Sequence, residues 1–213
     1  MINKEIFDDL ISSFSKQTDT LLGYEVNLSD FKIIFDQVCE KYCYCLSKKD
    51  PKHFPRRLIN HSDEYATFLI FLAKEFYLNE YIELAESVYL VNRRLNSLDC
   101  FYTREMPDVF HLEHPLESVI GQAKMKNYLT IYQGVSIGGN LKMEYPSIEE
   151  GVVFFPKSSA IGSCHIGFNS AIGAGVQLYN EKIKENSAVS LRNPEGIKVN
   201  TIKWSIKSRF FPL

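Results

Sequence analysis

The chain has 213 residues, 45% apolar and 13% aromatic, which is enough to bury a core as one large or two small domains. Its 24 basic and 26 acidic residues nearly cancel, so nothing points to nucleic acid or anionic lipid, and a small neutral or mildly charged substrate fits better. Five cysteines without paired spacing read as reduced thiols in a cytoplasm; acidic residues interrupt Met1–Lys16, so no signal peptide is expected, and the most apolar run, Tyr65–Ala73, is too short for a membrane span.

Residues 1–107 are expected to form a helical domain. Ile6, Leu10, Ile11 and Phe14 recur at helical spacing, and so do Phe31, Ile34, Phe35, Val38 and Tyr42. Cys39, Cys43 and Cys45 fall on the second of these helices, but positions 43 and 45 face differently there and no fourth ligand is near, which fits buried thiols better than a metal site. Pro51 and Pro55 break the pattern over Lys48–Pro55, a connector. Ser62-Asp-Glu-Tyr65 then predicts a helix cap with Asp63 and Glu64 in the first turn, ahead of the apolar run Phe68–Phe76. A further helix over Tyr81–Leu95 turns Ile82, Ala85, Val88 and Tyr89 to one face.

From residue 108 a period of six takes over. Apolar side chains stand at Val119, Met125, Ile131 and Ile137 and, after an offset, at Ile148, Phe154, Ala160, Ile166, Ile172 and Leu178. A second set, four residues on, holds Ala123, Leu129, Val135, Val152, Ser158, Cys164, Ser170 and Val176. Such a repeat predicts a solenoid over 108–192, each short strand stacking on the coil below and sending its apolar residue into the lumen, followed by a tail over 193–213. A β-sandwich of short strands is the alternative. The glycines of Ile137-Gly138, Ile166-Gly167 and Ile172-Gly173 are read as serving a turning backbone that needs φ values other residues avoid.

Three stretches carry a family resemblance: Glu113-His-Pro-Leu-Glu-Ser-Val-Ile-Gly121, Ile131-Tyr-Gln-Gly-Val-Ser-Ile-Gly-Gly139, and Tyr145-Pro-Ser-Ile-Glu-Glu-Gly-Val-Val153 leading through Ile161-Gly162 to Ile172-Gly-Ala-Gly175. In their order and spacing the chain resembles the hexapeptide-repeat acyltransferases, and among them most the serine acetyltransferases. The resemblance implies an N-terminal helical domain followed by a left-handed parallel β-helix, and assembly as a homotrimer or a multiple of trimers. It also implies acetyl-CoA as co-substrate in the groove between neighbouring β-helices, no metal, and a loop, Asn140–Pro146, that reaches into the active site.

An alcohol attacking a thioester needs a base for its proton and a polarised carbonyl. His114 falls on the family's catalytic position, and a neutral imidazole in that role contributes about 10²- to 10⁴-fold. His111 is close by without an assigned role; His53 and His61 read as surface or helix-end residues, and His165 as an outward, solvated ring. Two carboxylates compete to orient His114: Asp99, at the spacing of the family's Asp–His pair, and Asp108, about one β-helix face upstream. Glu113 takes the place of an acidic residue that contacts substrate, with a solvated rim carboxylate as the alternative. Gly138 and Gly139 allow backbone N–H groups close to an oxyanion and to CoA amides. The resemblance carries Gly139, Ser158 and Ala174 over as groove residues, with Ser159 a neighbour.

Where the serine acetyltransferases have a basic residue and a second histidine, this loop has Glu144 and Tyr145. Glutamate repels a carboxylate, so the expected acceptor is a sugar or glycan-precursor hydroxyl, stacked on Tyr145 and hydrogen-bonded by Glu144, with serine as the alternative. Two further readings differ in class. A γ-type carbonic anhydrase needs three zinc-binding histidines, for which only His111, His114 and His165 are present in this half, the first two without the expected separation. The other is a non-catalytic trimeric scaffold.

Overall fold

The computed structural model describes residues 4–26, 31–55, 57–192 and 196–212, with side chains from residue 10 on. Four helices come first: α1 (Lys4–Leu22), α2 (Lys32–Leu46), α3 (Ser62–Leu78) and α4 (Ile82–Asn96). The run that predicted α3 is apolar nearly all round, and a helix of that kind must be central. Phe68, Leu69, Ile70, Phe71, Leu72 and Phe76 are all buried, between α2, which contributes Phe35 and Val38, and α4, which contributes Ala85 and Val88. On α1, Leu10 and Phe14 are buried as the spacing predicts, and Ile6 lies outside the described side chains. The cap of α3 differs by one residue from the expectation. His61, in extended backbone, accepts the Glu64 N–H at 3.4 Å through Nδ1, which leaves Ser62 as the first helical residue, its hydroxyl donating to Asp63 at 3.1 Å.

From residue 110 the chain winds into a parallel β-solenoid with three faces. One sheet joins β1 (Phe110–Glu113), β4 (Leu129–Tyr132), β7 (Val153–Phe154), β10 (Ala171–Ile172) and β13 (Ser187–Arg192). The second stacks β2 (Val119–Ile120), β5 (Ser136–Gly138), β8 (Ser159–Ile161) and β11 (Gln177–Tyr179). The third stacks β3 (Lys124–Met125), β6 (Ser147–Ile148), β9 (His165–Ile166) and β12 (Lys182–Ile183). Ile131, Phe154, Ile172 and Val189 form one lumen ladder, Ile137, Ala160 and Leu178 another, and Ile148, Ile166 and Ile183 the third. All eight residues of the second apolar set are buried with them.

Two sequence readings need correction. Val119 is 46% exposed; its neighbour Ile120 is buried and registers with Ile137, so the first coil is one residue shorter between that position and Met125 than a strict six-residue count allows. The glycines after the apolar positions do not serve a left-handed turn. At Gly167 and Gly173 the backbone of the next coil comes so close that a Cβ would sit 2.4 Å from the Glu185 nitrogen and 2.5 Å from the Val189 oxygen, so it is close stacking that excludes a side chain.

Both halves share one core. Phe71 of α3 meets Phe110 of β1 at 5.4 Å between ring centroids, and the Cys45 thiol donates to the Phe110 carbonyl at 3.3 Å. After β13 the chain turns back in antiparallel β14 (Gly196–Thr201). A short helix, α5 (Ile206–Phe210), then lies on the outer face of the six-stranded sheet, burying Ile206 against Val153 and Ala171. No described helix is long and apolar enough to cross a membrane.

Candidate active site

The corner between β1 and β2 carries His114, with φ of +48°, a left-handed conformation rare outside glycine. Asp63, in the first turn of α3, meets it there, its Oδ2 accepting the His114 backbone N–H at 3.0 Å. The same oxygen lies 3.5 Å from His114 Nδ1. On the other side of the ring, Nε2 is 3.7 Å from Glu113 Oε1. The ring is therefore bracketed by two carboxylates while 70% of the side chain stays open to solvent. An imidazole so placed can take a proton from an approaching hydroxyl while a fixed anion behind it sets the ring's orientation.

Asp63 is positioned by the burial of its neighbour. Lys49 Nζ bonds both Glu64 carboxylate oxygens, at 2.8 and 3.0 Å, and neither side chain has any exposure, so the first turn of α3 is clamped from beneath. An acidic residue at this helix end is also favoured by the backbone dipole.

Glu113 points outward from β1 beside His111, whose buried Nε2 donates to Glu113 Oε2 at 2.6 Å. That hydrogen bond pulls the Glu113 carboxyl below its ordinary value, outweighing the partial burial that acts in the opposite direction. The His53 ring packs on His111 at 4.6 Å between centroids, and burial followed by the nearby His111 lowers its pKa. His53 and Glu113 border a cleft of about 410 Å³ whose walls also include Lys52, Tyr132 and Arg209.

The other predicted site residues are spread over different places. The Asp99 carboxylate accepts from the Tyr89 hydroxyl at 3.0 Å and pairs with Arg93 at 3.4 Å, while its backbone adds a rung beside Val119. Asp108 is exposed at a cleft with Lys41, Tyr44 and Phe71. Neither makes a hydrogen bond or ion pair with His114 among the described residues; Asp63 does. Gly138 and Ser159 face outward on the second sheet, where Ser159 bonds Gln177 at 2.8 Å. Ser158 turns inward, fully buried, and donates to the Phe155 carbonyl at 2.7 Å. Ala174 is exposed at the same solenoid corner as His114, three coils on.

The loop 139–146 stands on the next corner, across the width of the second sheet from His114. Asn140 organises it, accepting from the backbone nitrogens of Lys142 and Glu144 and donating to Glu144 Oε2 at 2.6 Å. Gly139 leaves room for Tyr145, since a Cβ there would be 2.7 Å from the ring. Leu141 and Met143 project into solvent. Within one chain, then, His114 and Glu113 are brought together, and Glu144 and Tyr145 are not brought to them.

Asp63 and His53 are the residues that sequence reasoning missed. The Asp63–His114 contact spans 51 residues and has no local signature; the only sequence signal was the acidic first turn of α3, which reads equally as capping.

No family model matches the chain. It is 25% identical over 122 residues to a serine acetyltransferase of Bacillus subtilis, covering 55% of this chain and 56% of that one. To a serine acetyltransferase of Bacillus licheniformis it is 23% identical over 152 residues, covering 68% and 65%. The chain thus spans less than two thirds of the length of these curated relatives. Among solved structures, serine acetyltransferase of Neisseria gonorrhoeae in complex with serine superposes with a TM-score of 0.68 at 20% identity, covering 86% of this chain and 82% of that one. The Brucella abortus enzyme in complex with coenzyme A gives 0.67 at 16%, covering 90% and 82%. The fold is that of the serine acetyltransferases.

Proposed function

We propose that the chain is an acetyl-CoA-dependent O-acetyltransferase with His114 as general base. The observation that carries this reading is the bracketing of an exposed imidazole on a left-handed corner by Asp63 and Glu113. Acetyl-CoA would supply the activated acyl thioester. The outward face of the second sheet suits it at Gly138, where open space leaves the backbone approachable between the His114 corner and the loop 139–146; Ser159 on that face is buried and bonded to Gln177. His114 takes the acceptor's hydroxyl proton as the new C–O bond forms and the C–S bond breaks, then returns that proton to the departing thiolate. Asp63 offsets the positive charge that the ring carries in between.

Because His114 and the loop 139–146 occupy different corners of one solenoid, a site using both draws them from adjacent chains, which supports the homotrimer. Serine is the first acceptor to test: the relatives in sequence carry that name, one structural neighbour was solved with serine, and Lys52 and Arg209 put cations in the cleft beside Glu113. The sugar reading rests on Glu144 and Tyr145, where the loop offers an anion and a ring instead of a cation.

The test is thiol release from acetyl-CoA with serine and a panel of sugars. His114→Ala should lower kcat by about 10²-fold or more with acetyl-CoA affinity nearly unchanged, since the base acts on the acceptor. The exposed His165, on another face, is the matched control. Wild-type turnover by a folded His114→Ala protein would defeat the assignment.

A further inference from the structure

His111 is the least explained polar group near the site. It is 2% exposed, and Nε2 donates to Glu113, which leaves the lone pair on Nδ1 buried with no hydrogen-bond partner. An unsatisfied buried polar atom of this kind is destabilising unless something meets it. No described protein group does.

Two further donors stand around it. One ligand atom each from His53, His111 and Glu113 lie within 4.8 Å of one another. A tetrahedral zinc ion, with bonds of about 2.0–2.2 Å, needs its ligand atoms about 3.4 Å apart, so the widest spacing must close by up to about 1.4 Å and Glu113 must exchange its 2.6 Å hydrogen bond to His111 for the ion. The groups that must move are able to. His53 ends the short turn Pro51–His53 and is only half-buried, and Glu113 is 24% exposed, while His111 is fixed on β1 and packed edge-on by Phe211. The cleft of about 410 Å³ that His53 and Glu113 line gives an ion a path from solvent and room for water as fourth ligand. Of the two cations that line that entrance, Lys52 already pairs with Asp50 at 3.4 Å, and the Arg209 guanidinium lies over the Trp204 ring at 6.0 Å from its centroid.

We infer that His53, His111 and Glu113 form a binding site for a divalent transition-metal ion of the zinc type, built across the helical half and the first strand of the solenoid. Two imidazoles and one carboxylate select such an ion over magnesium or calcium, which prefer all-oxygen shells. The site differs from the three-histidine arrangement of a carbonic anhydrase in taking His53 from outside the solenoid, and His114 and His165 have no part in it.

The experiment uses the full chain, stripped with chelator and titrated with zinc chloride by calorimetry, with bound metal counted after gel filtration. The expected result is one zinc per chain, with affinity reduced at least about tenfold in His53→Ala and in Glu113→Gln. His53→Ala changes a half-exposed turn residue and should keep the wild-type melting curve, so loss of binding there is not loss of fold. Cobalt substitution should give tetrahedral visible bands without thiolate charge transfer. Absence of bound zinc, zinc bound equally by His53→Ala, or thiolate bands from the Cys39–Cys45 region would each overturn the site. The readout is bound metal and not turnover, so the outcome is independent of the acetyl-transfer reading.

Discussion

Replacing Asp63 by Asn separates two roles of one carboxylate. The amide oxygen of Asn can still accept the His114 backbone N–H, now bonded at 3.0 Å, so the left-handed corner should hold, while the negative charge 3.5 Å from Nδ1 is lost. For full charges at that distance the interaction is about 5 kcal/mol at an effective dielectric of 20 and about 1 kcal/mol in bulk water. With 70% of the His114 side chain exposed, the working figure lies near the lower end, about 1–2 kcal/mol, or roughly 5- to 30-fold in kcat. The matched variant is Asp99→Asn, whose carboxylate is engaged by Tyr89 and Arg93 and should leave kcat within about twofold of wild type. Steady-state kcat at saturating acetyl-CoA and acceptor, on proteins with matching circular dichroism, decides between them. If Asp99→Asn slows transfer more than Asp63→Asn, the orienting carboxylate is the one at the family's spacing, and the α3 contact only shapes the corner.

The remaining expectations concern stability and assembly. Lys49→Met strands the Glu64 carboxylate with no exposure and should cost about 3–5 kcal/mol, lowering Tm by roughly 6–20 °C in a chain of this size; Lys49→Met with Glu64→Leu should recover much of that in the same thermal scan. Burial pushes the Cys100 thiol up to about 12, so above pH 9 the unfolded chain loses this proton before the folded one does, and stability should fall as pH rises from about 9 towards 12. Cys100→Ala should flatten that slope in denaturant titrations, and an unchanged slope would assign it to other groups. Light scattering at micromolar concentration should give the mass of three chains or a multiple; a monomer would leave the His114 corner without the loop of a neighbour.

The solenoid was legible because its signal is local and repeated. Each coil must put the same kind of side chain into the same narrow lumen, so residues from Ile131 to Leu178 announce the fold without reference to anything distant. The readings that failed are those where one contact overrides the period. Val119 lost its place because the first coil is shortened beside Asp99, which supplies an extra rung there. The glycines at 167 and 173 were placed correctly but for the wrong reason, since the approach of Glu185 and Val189 one coil on is invisible in the order of residues. The five-residue α5 is too short to show a period, so the chain after residue 192 read only as a tail.

The candidate site was legible only as far as the family resemblance reaches. Glu113 and His114 sit in a stretch whose spacing reproduces the family's pattern, and nothing more was needed to select them. The group that meets His114 comes from a helix 51 residues away, and three conditions had to coincide to bring it there. The apolar face of α3 had to seat on β1 through Phe71 and Phe110, the buried Lys49–Glu64 pair had to fix the first helical turn, and the corner had to accept a positive φ at a histidine. Each condition is a tertiary one. The same seating brings the connector residue His53, which from sequence was a surface histidine, onto the buried His111. The period therefore identifies the solenoid, the family resemblance picks out candidate residues on its first corner, and what meets those residues, and what else can bind beside them, is decided by how the helical half is docked on the first coil.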